Sequence, residues 1–126
     1  LLFSASAFSG IAVIVHPSNN ASLGSGEISR IFLGKMKSFP GAGAAIPINQ
    51  GEGAGPRSDF EGAVLKKSAS QIKAYWSKLV FTGKGTPPQE VASDADVINL
   101  IKSNPSLIGY VSDGAVSADV KVIATF

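Results

Sequence analysis

The chain has 126 residues, a length that suits one domain built around a single hydrophobic core. With 11 Lys and Arg residues against 9 Asp and Glu residues, its net charge of +2 gives no indication of nucleic-acid binding, and a hydrophobic content of 44% argues against disorder. Cysteine is absent, which excludes disulfides, thiolate catalysis and Cys-based metal sites.

The first ten residues, LLFSASAFSG, have the pattern of the tail of a secretory signal. Apolar residues come first, and Ala5-Ser6-Ala7 fits an A-x-A cleavage site; a short N-terminal strand or helix is the alternative. No later stretch reaches the roughly 20 apolar residues that span a bilayer. We therefore expect residues 1–10 to be a residual signal segment and residues 11–126 to form one exported, periplasmic, soluble domain.

The next stretch, IAVIVHP at residues 11–17, is a continuous β-branched run that ends at proline. Such a run is typical of a central strand buried on both faces of a parallel sheet. After a turn-rich stretch, residues 27–33 carry apolar side chains at the i, i+3, i+4 spacing of a buried helical face, and Gly34 indicates the end of that helix. The apolar residues of this face are Ile28, Ile31 and Phe32.

A second strand is predicted at residues 45–49, AIPIN, where the internal Pro47 suggests an edge position or a strand end. Gly55 is then expected as the N-cap of a helix, with Pro56 at its first position and an end near Lys66. Its inward residues are expected to be Phe60, Ala63 and Val64.

Ser68 and Gln71 form the capping box of a further helix. The side chains that this helix is expected to bury are Ile72, Tyr75 or Trp76, Leu79 and Val80.

Residues 82–90, TGKGTPPQE, are predicted to be an irregular loop, and Ser93 with Asp96 predicts the start of a fourth helix. Two β-rich runs, SLIGYVS and VKVIATF, complete the chain. The order of elements predicts an α/β fold with a layered, mainly parallel sheet flanked by helices.

Cofactor and catalytic motifs are absent from the sequence. FTGKGT lacks the hydroxyl residue and the first glycine of a nucleotide P-loop, and no G-x-G-x-x-G is present. The single histidine, His16, follows a buried strand and is interpreted as a strand-end residue rather than a catalytic base. We expect no metal, no cofactor and no enzymatic activity.

The strongest local motif is GEGAGPRSDF at residues 51–60. A helix preceded by glycines offers unpaired N–H groups and the positive end of the helix dipole to an anion. Arg57 adds a permanent charge that suits phosphate or carboxylate oxygens. An ordinary helix cap beside a solvated arginine explains the same residues, so the motif alone leaves both interpretations open.

Four stretches carry a family pattern: IAVIVHPSN, LGSGEISRIFLGKMKSF, EGAGPRSDFEGAVL and SNPSLIGYVS. Together they resemble the phosphate-type periplasmic substrate-binding proteins of ABC transporters, mainly the second half of that family's length. The G-S-G-T-R-x-x-F turn of the family is matched by Gly53, Gly55, Arg57 and Phe60, and its P-x-x-I-G-Y by Pro105, Ile108, Gly109 and Tyr110. Ala54 and Pro56 replace the serine and threonine of that turn.

The resemblance implies a single lobe of the type II periplasmic-binding-protein fold that binds a small oxyanion, phosphate or sulfate, at a helix N-terminus. The candidate ligand-binding residues are Gly53, Ala54, Gly55, Arg57 and Ser58, with Ser22 and Ser25 as further donors. An ABC transporter permease or a second copy of the chain is the expected protein partner. The alternative is a structural or protein-interaction lobe that keeps the fold and has lost the ligand.

Overall fold

The computed structural model describes residues 10–126. Of the predicted signal segment, only Gly10 lies in this range, so the signal stays a prediction. The strands are β1 (Ile11–Val15), β2 (Ser38–Phe39), β3 (Gly43–Ala44), β4 (Ile46–Gln50), β5 (Gln89–Val91), β6 (Leu107–Ser112) and β7 (Lys121–Thr125). The α-helices are α1 (Ser25–Phe32), α2 (Gly55–Phe60), α3 (Ala69–Phe81) and α4 (Asp94–Ile101), with a π-helix at Glu61–Leu65 and a 3-10 turn at Asp113–Ala115. None of these helices combines the length and hydropathy of a membrane-spanning segment.

A five-stranded sheet in the order β5-β4-β6-β1-β7 forms the centre of the molecule. Strand β4 runs parallel to β5 and β6, whereas β1 runs antiparallel to β6 and β7. All strands of this sheet except β1 therefore point the same way, and the predicted mainly parallel α/β fold is confirmed. The prediction of a buried interior strand at β1 is also confirmed, but its expected parallel pairing is wrong. An apolar run encodes burial on both faces and carries no information about strand direction.

Helices cover both faces of the sheet. Successive residues of β1 alternate between two apolar clusters: Ile11, Val13 and Val15 pack on the side of α1, the π-helix and α3, and Ala12 and Ile14 pack on the side of α4. Helix α4 lies very close to β6. A Cβ atom at Gly109 would approach Val97 Cγ1 to 2.6 Å, so only glycine allows this contact between helix and sheet.

Helix α2 begins one residue earlier than predicted. Ala54 is the N-cap and Gly55 the first helical residue, which leaves Pro56 at the second position. The shift follows from the preceding turn, where Gly53 has a φ of +86° and the Ala54 N–H donates to the Gly51 carbonyl oxygen at 3.1 Å. Beyond Phe60 the chain continues as the π-helix, which ends at Lys66 in the left-handed conformation.

Several other predicted boundaries agree with the structure. Helix α1 buries Ile28, Ile31 and Phe32 and ends before Gly34, whose φ is +75°. Ser68 caps α3 through the predicted capping box, and the Ser93 hydroxyl caps α4.

Of the two positions predicted for Pro47, the strand end agrees with the structure and the edge does not: β4 is an inner strand, and Pro47 lies near its start, before pairing with β5 begins at Ile48. Two predictions on the other elements need correction. Strand β5 begins at Gln89, within the loop predicted at residues 82–90, because its backbone pairs with β4, and the short β2–β3 hairpin forms in a stretch for which no strand was predicted. Val80 was expected to be buried in α3 but is 53% exposed, since no described element covers the end of that helix.

Candidate functional site

A cavity of about 770 Å³ opens between the first turn of α2, one face of α3 and the start of β5. Four of the predicted ligand-binding residues line it: Gly53, Ala54, Arg57 and Ser58. Gly55 begins α2 beside them but is not part of the lining. The predicted donors Ser22 and Ser25 lie before and at the start of α1 and do not line this cavity either. The structure thus brings together the α2 residues and leaves the two α1-loop serines apart from them.

Arg57 is the most highly connected polar side chain of the site. Its Nε donates to Glu61 Oε2 at 3.0 Å, and its Nη1 donates both to the Gln50 carbonyl oxygen at 2.9 Å and to Glu90 Oε2 at 2.8 Å. The side chains of Arg57 and Glu61 are only 12% and 5% exposed, whereas that of Glu90 is 47% exposed. Arg57 is therefore not solvated, as the ordinary-cap interpretation had assumed, but held in two ion pairs.

Two carboxylates compensate the charge of Arg57. Burial by itself lowers the pKa of Arg57, but the hydrogen bonds and charges of Glu90 and Glu61 outweigh that effect, and the net pKa lies above the usual value. The arginine is consequently a permanent cation whose charge is already balanced. An incoming anion gains little from Arg57 unless it replaces the exposed Glu90 carboxylate.

Two of the backbone N–H groups at the start of α2 have no hydrogen-bond partner in the described part of the chain. The Ser58 N–H donates to the Ala54 carbonyl oxygen at 3.1 Å, and Pro56 has no N–H. The N–H groups of Gly55 and Arg57 make no hydrogen bond within residues 10–126. These two donors are available to an acceptor in solution.

A polar network under the site fixes the end of β4. The hydroxyl of Tyr110 on β6 donates to Asn49 Oδ1 and accepts from the Gln50 N–H at 3.1 Å. Gln50 Nε2 donates to Asp94 Oδ1 at 2.7 Å and to the Tyr110 carbonyl oxygen at 3.1 Å. Burial raises the pKa of Tyr110, which keeps its hydroxyl protonated and able to donate. The network connects β4, β6 and α4, and Gln50 in turn presents its carbonyl oxygen to Arg57.

Aromatic packing holds α2 over this network. The ring of Phe60 stacks on that of Tyr110 with a centroid distance of 4.1 Å and an interplanar angle of 5°, and Phe32 of α1 contacts both rings. The end of α2 at Phe60 is therefore anchored on a buried aromatic cluster.

One face of α3 forms the opposite wall of the cavity. The face is mostly apolar, with Ile72 and Trp76 at its base and Val80 and Phe81 at its outer end, and Lys73 is its only charged residue. None of these side chains belongs to the predicted site, because their spacing is also that of an ordinary buried helical face.

Glu61 and Glu90 were likewise missed from the sequence. The i, i+4 spacing of Arg57 and Glu61 on a predicted helix is a usable indication of their ion pair. Glu90 lies 33 residues away in a predicted loop, and no pattern in the sequence places it beside Arg57. His16, interpreted as a strand-end residue, has its Nδ1 bonded by the Ser18 N–H at 3.1 Å and lies outside the site.

No protein-family model matches the chain, and no curated protein sequence does. Solved structures do match it. An ABC-type phosphate transport receptor from Vibrio cholerae superimposes with a TM-score of 0.72 at 19% identity, over 91% of this chain and 45% of the receptor.

A phosphate ABC transporter substrate-binding protein with bound phosphate from Clostridium perfringens gives a TM-score of 0.72 at 21% identity, over 91% of this chain and 44% of that one. PstS from Borrelia burgdorferi gives a TM-score of 0.69 at 15% identity, over 92% of this chain and 47% of PstS. The chain thus spans less than half the length of each of these proteins. It has the fold of about half of a phosphate-type substrate-binding protein of ABC transporters.

Proposed function

We propose that the chain is an exported, non-enzymatic binding protein that captures a small oxyanion such as phosphate or sulfate at the start of α2. The observation that carries the proposal is that the N–H groups of Gly55 and Arg57 make no hydrogen bond within residues 10–126, beside a cavity lined by Gly53, Ala54 and Ser58. The fold supports it, because a matching structure is described as a phosphate substrate-binding protein with bound phosphate.

In this proposal the anion approaches where glycine leaves the backbone open. A Cβ at Gly53 or Gly55 would meet nothing within 4 Å, so free space surrounds the turn. The two N–H groups and the Ser58 hydroxyl donate to the anion, and Arg57 contributes when the anion displaces the Glu90 carboxylate from Arg57 Nη1. Ser22 and Ser25 become donors only if the loop before α1 moves toward this turn.

The expected affinity is low. Micromolar binding needs about 8 kcal/mol, whereas each charge-assisted hydrogen bond contributes roughly 1.5–3 kcal/mol before the cost of association. Glu90 further opposes binding, because its carboxylate occupies Arg57 Nη1 at 2.8 Å. Two backbone donors and a balanced arginine therefore support millimolar capture.

The proposal extends to location and partners. We expect the mature protein in the periplasm, where it would serve an ABC transporter permease or pair with a second copy that completes the site. N-terminal sequencing of protein secreted by the native host tests export: a mature start near Phe8 supports it, and an unprocessed cytoplasmic chain contradicts it.

Calorimetric titration with phosphate and with sulfate at low salt tests the binding site. We expect weak saturable binding that decreases as salt screens the open site. Replacing Ala54→Ser and Pro56→Thr restores two hydroxyls and one N–H, and should tighten phosphate binding at least tenfold. Ala74→Ser is the matched control, since Ala74 is exposed on α3 and does not line the cavity.

Absence of saturable binding up to tens of millimolar anion, in the wild type and in the Ala54→Ser, Pro56→Thr variant, would overturn the proposal. The protein-interaction lobe would then take its place. Binding that the double substitution leaves unchanged would put the anion elsewhere on the molecule.

A further inference from the structure

The size of the cavity exceeds what an inorganic oxyanion needs. Its volume is about 770 Å³, and sites for small organic ligands commonly measure roughly 300–1,000 Å³. Phosphate or sulfate at the first turn of α2 would fill only one end. The remaining space extends along α3, away from Gly53 and Ala54.

The wall provided by α3 is suited to an apolar group. Trp76 and Ile72 are nearly buried and form its base, whereas Val80 is 53% exposed and Phe81 is 91% exposed. Pro87, from the loop before β5, faces the same space. When an apolar ligand covers exposed apolar side chains beside a concave surface, the removal of that surface from water stabilises the complex.

Two basic residues line the cavity, Arg57 on α2 and Lys73 on α3. Arg57 is balanced by Glu61 and Glu90, the two carboxylates that make ion pairs within residues 10–126. Lys73 lines the cavity from the middle of α3 and has no carboxylate within ion-pair distance in that part of the chain. Its ammonium group is therefore free to bind the charged head of a ligand.

We propose that the preferred ligand is an organic oxyanion, in which a phosphoryl or carboxyl head is attached to an apolar body about the size of one aromatic ring. The head is held by Lys73 and by the N–H group of Arg57, since both residues line the cavity. The apolar body packs on Trp76 and Val80. This inference rests on the proposed anion site and adds the class of ligand.

Phenylphosphonate tests it against inorganic phosphate and the uncharged benzyl alcohol. Trp76 is the single tryptophan of the chain and lines the cavity, so its fluorescence reports occupancy directly. Phenylphosphonate should bind at least tenfold more tightly than phosphate, because its ring buries apolar surface that phosphate lacks. Benzyl alcohol should bind more weakly than phenylphosphonate by a similar factor, because it lacks the charged head.

Variants on α3 locate the two parts of the ligand. Val80→Ser should weaken phenylphosphonate binding about threefold or more and leave phosphate binding unchanged, with Val122→Ser on β7 as the exposed control. Lys73→Ala should weaken both anions, and Lys78→Ala, which alters an exposed lysine of α3 outside the cavity, should weaken neither. All four positions are exposed, so the fold is expected to be retained, and circular dichroism checks this.

The outcomes separate this inference from the proposed function. If phosphate binds and phenylphosphonate binds no more tightly, the inference falls and the oxyanion site stands. Equal affinity for phenylphosphonate and benzyl alcohol, or a Val80→Ser protein that binds phenylphosphonate as the wild type does, also overturns it. If neither anion binds, both proposals fall.

Discussion

Two regions of the central sheet, the β1 side and the β4 side, differ in the contacts that hold them together. Around β1 the contacts are apolar, and every residue of that strand is buried. Around β4 and the start of α2, polar contacts add to the aromatic packing: Gln50 is bound to Tyr110 and Asp94, and Arg57 is bound to Glu61 and Glu90. The β1 side depends on the hydrophobic effect, which tolerates small shifts, whereas the β4 side depends on directional bonds between residues far apart in the chain. This difference separates the part that is stabilised by apolar burial from the part in which we propose the anion site.

Val13→Asp should have the largest effect, because it breaks the apolar side. Val13 is fully buried in β1, within an apolar cluster. An unpaired carboxylate there should cost several kcal/mol and prevent soluble folding. Expression with a solubility assay measures this, with Val122→Asp on the exposed face of β7 as the control. A soluble Val13→Asp protein of normal stability would contradict the interior position of β1.

Arg57→Ala should have an intermediate effect on the polar side. It leaves the Glu61 carboxylate, only 5% exposed, without its partner, and removing one member of a buried pair costs about 3 kcal/mol. Urea denaturation measures the loss. Because the cost comes from the unpaired, buried carboxylate of Glu61, adding Glu61→Gln to Arg57→Ala should restore part of the stability. An Arg57→Ala protein as stable as the wild type would show that the ion pair between Arg57 and Glu61 contributes nothing to the free energy of unfolding.

Glu90→Gln should have the smallest effect on stability. The carboxylate is 47% exposed, and exposed ion pairs contribute up to about 1 kcal/mol. The same substitution removes a negative charge from the cavity and weakens the bond to Arg57 Nη1, because a neutral amide oxygen accepts less strongly than a carboxylate, so phosphate affinity should rise about threefold or more. Calorimetric titration and urea denaturation of one protein sample measure both effects. Lower phosphate affinity in Glu90→Gln would mean that Arg57 does not face the anion.

Much of the framework was predictable because its determinants are local. The apolar run at β1, the i, i+3, i+4 pattern of α1 and the hydroxyl caps at Ser68 and Ser93 each act within a few residues. Of the site, the turn at Gly53 and the helix that follows were predicted for the same reason. The end of α3 was not, because a helical pattern does not reveal whether another element covers Val80.

The sequence by itself determined an α/β domain, its principal strands and helices, and a glycine-rich helix start beside an arginine. Only the tertiary structure decided that β1 runs antiparallel to both neighbours, that Glu90 meets Arg57 across 33 residues, and that α3 forms the second wall of a cavity. The physical reason is the distance along the chain over which each determinant acts. Propensity, capping and periodicity act between residues close in the chain, whereas strand direction, long-range ion pairs and cavities depend on how the complete set of elements packs.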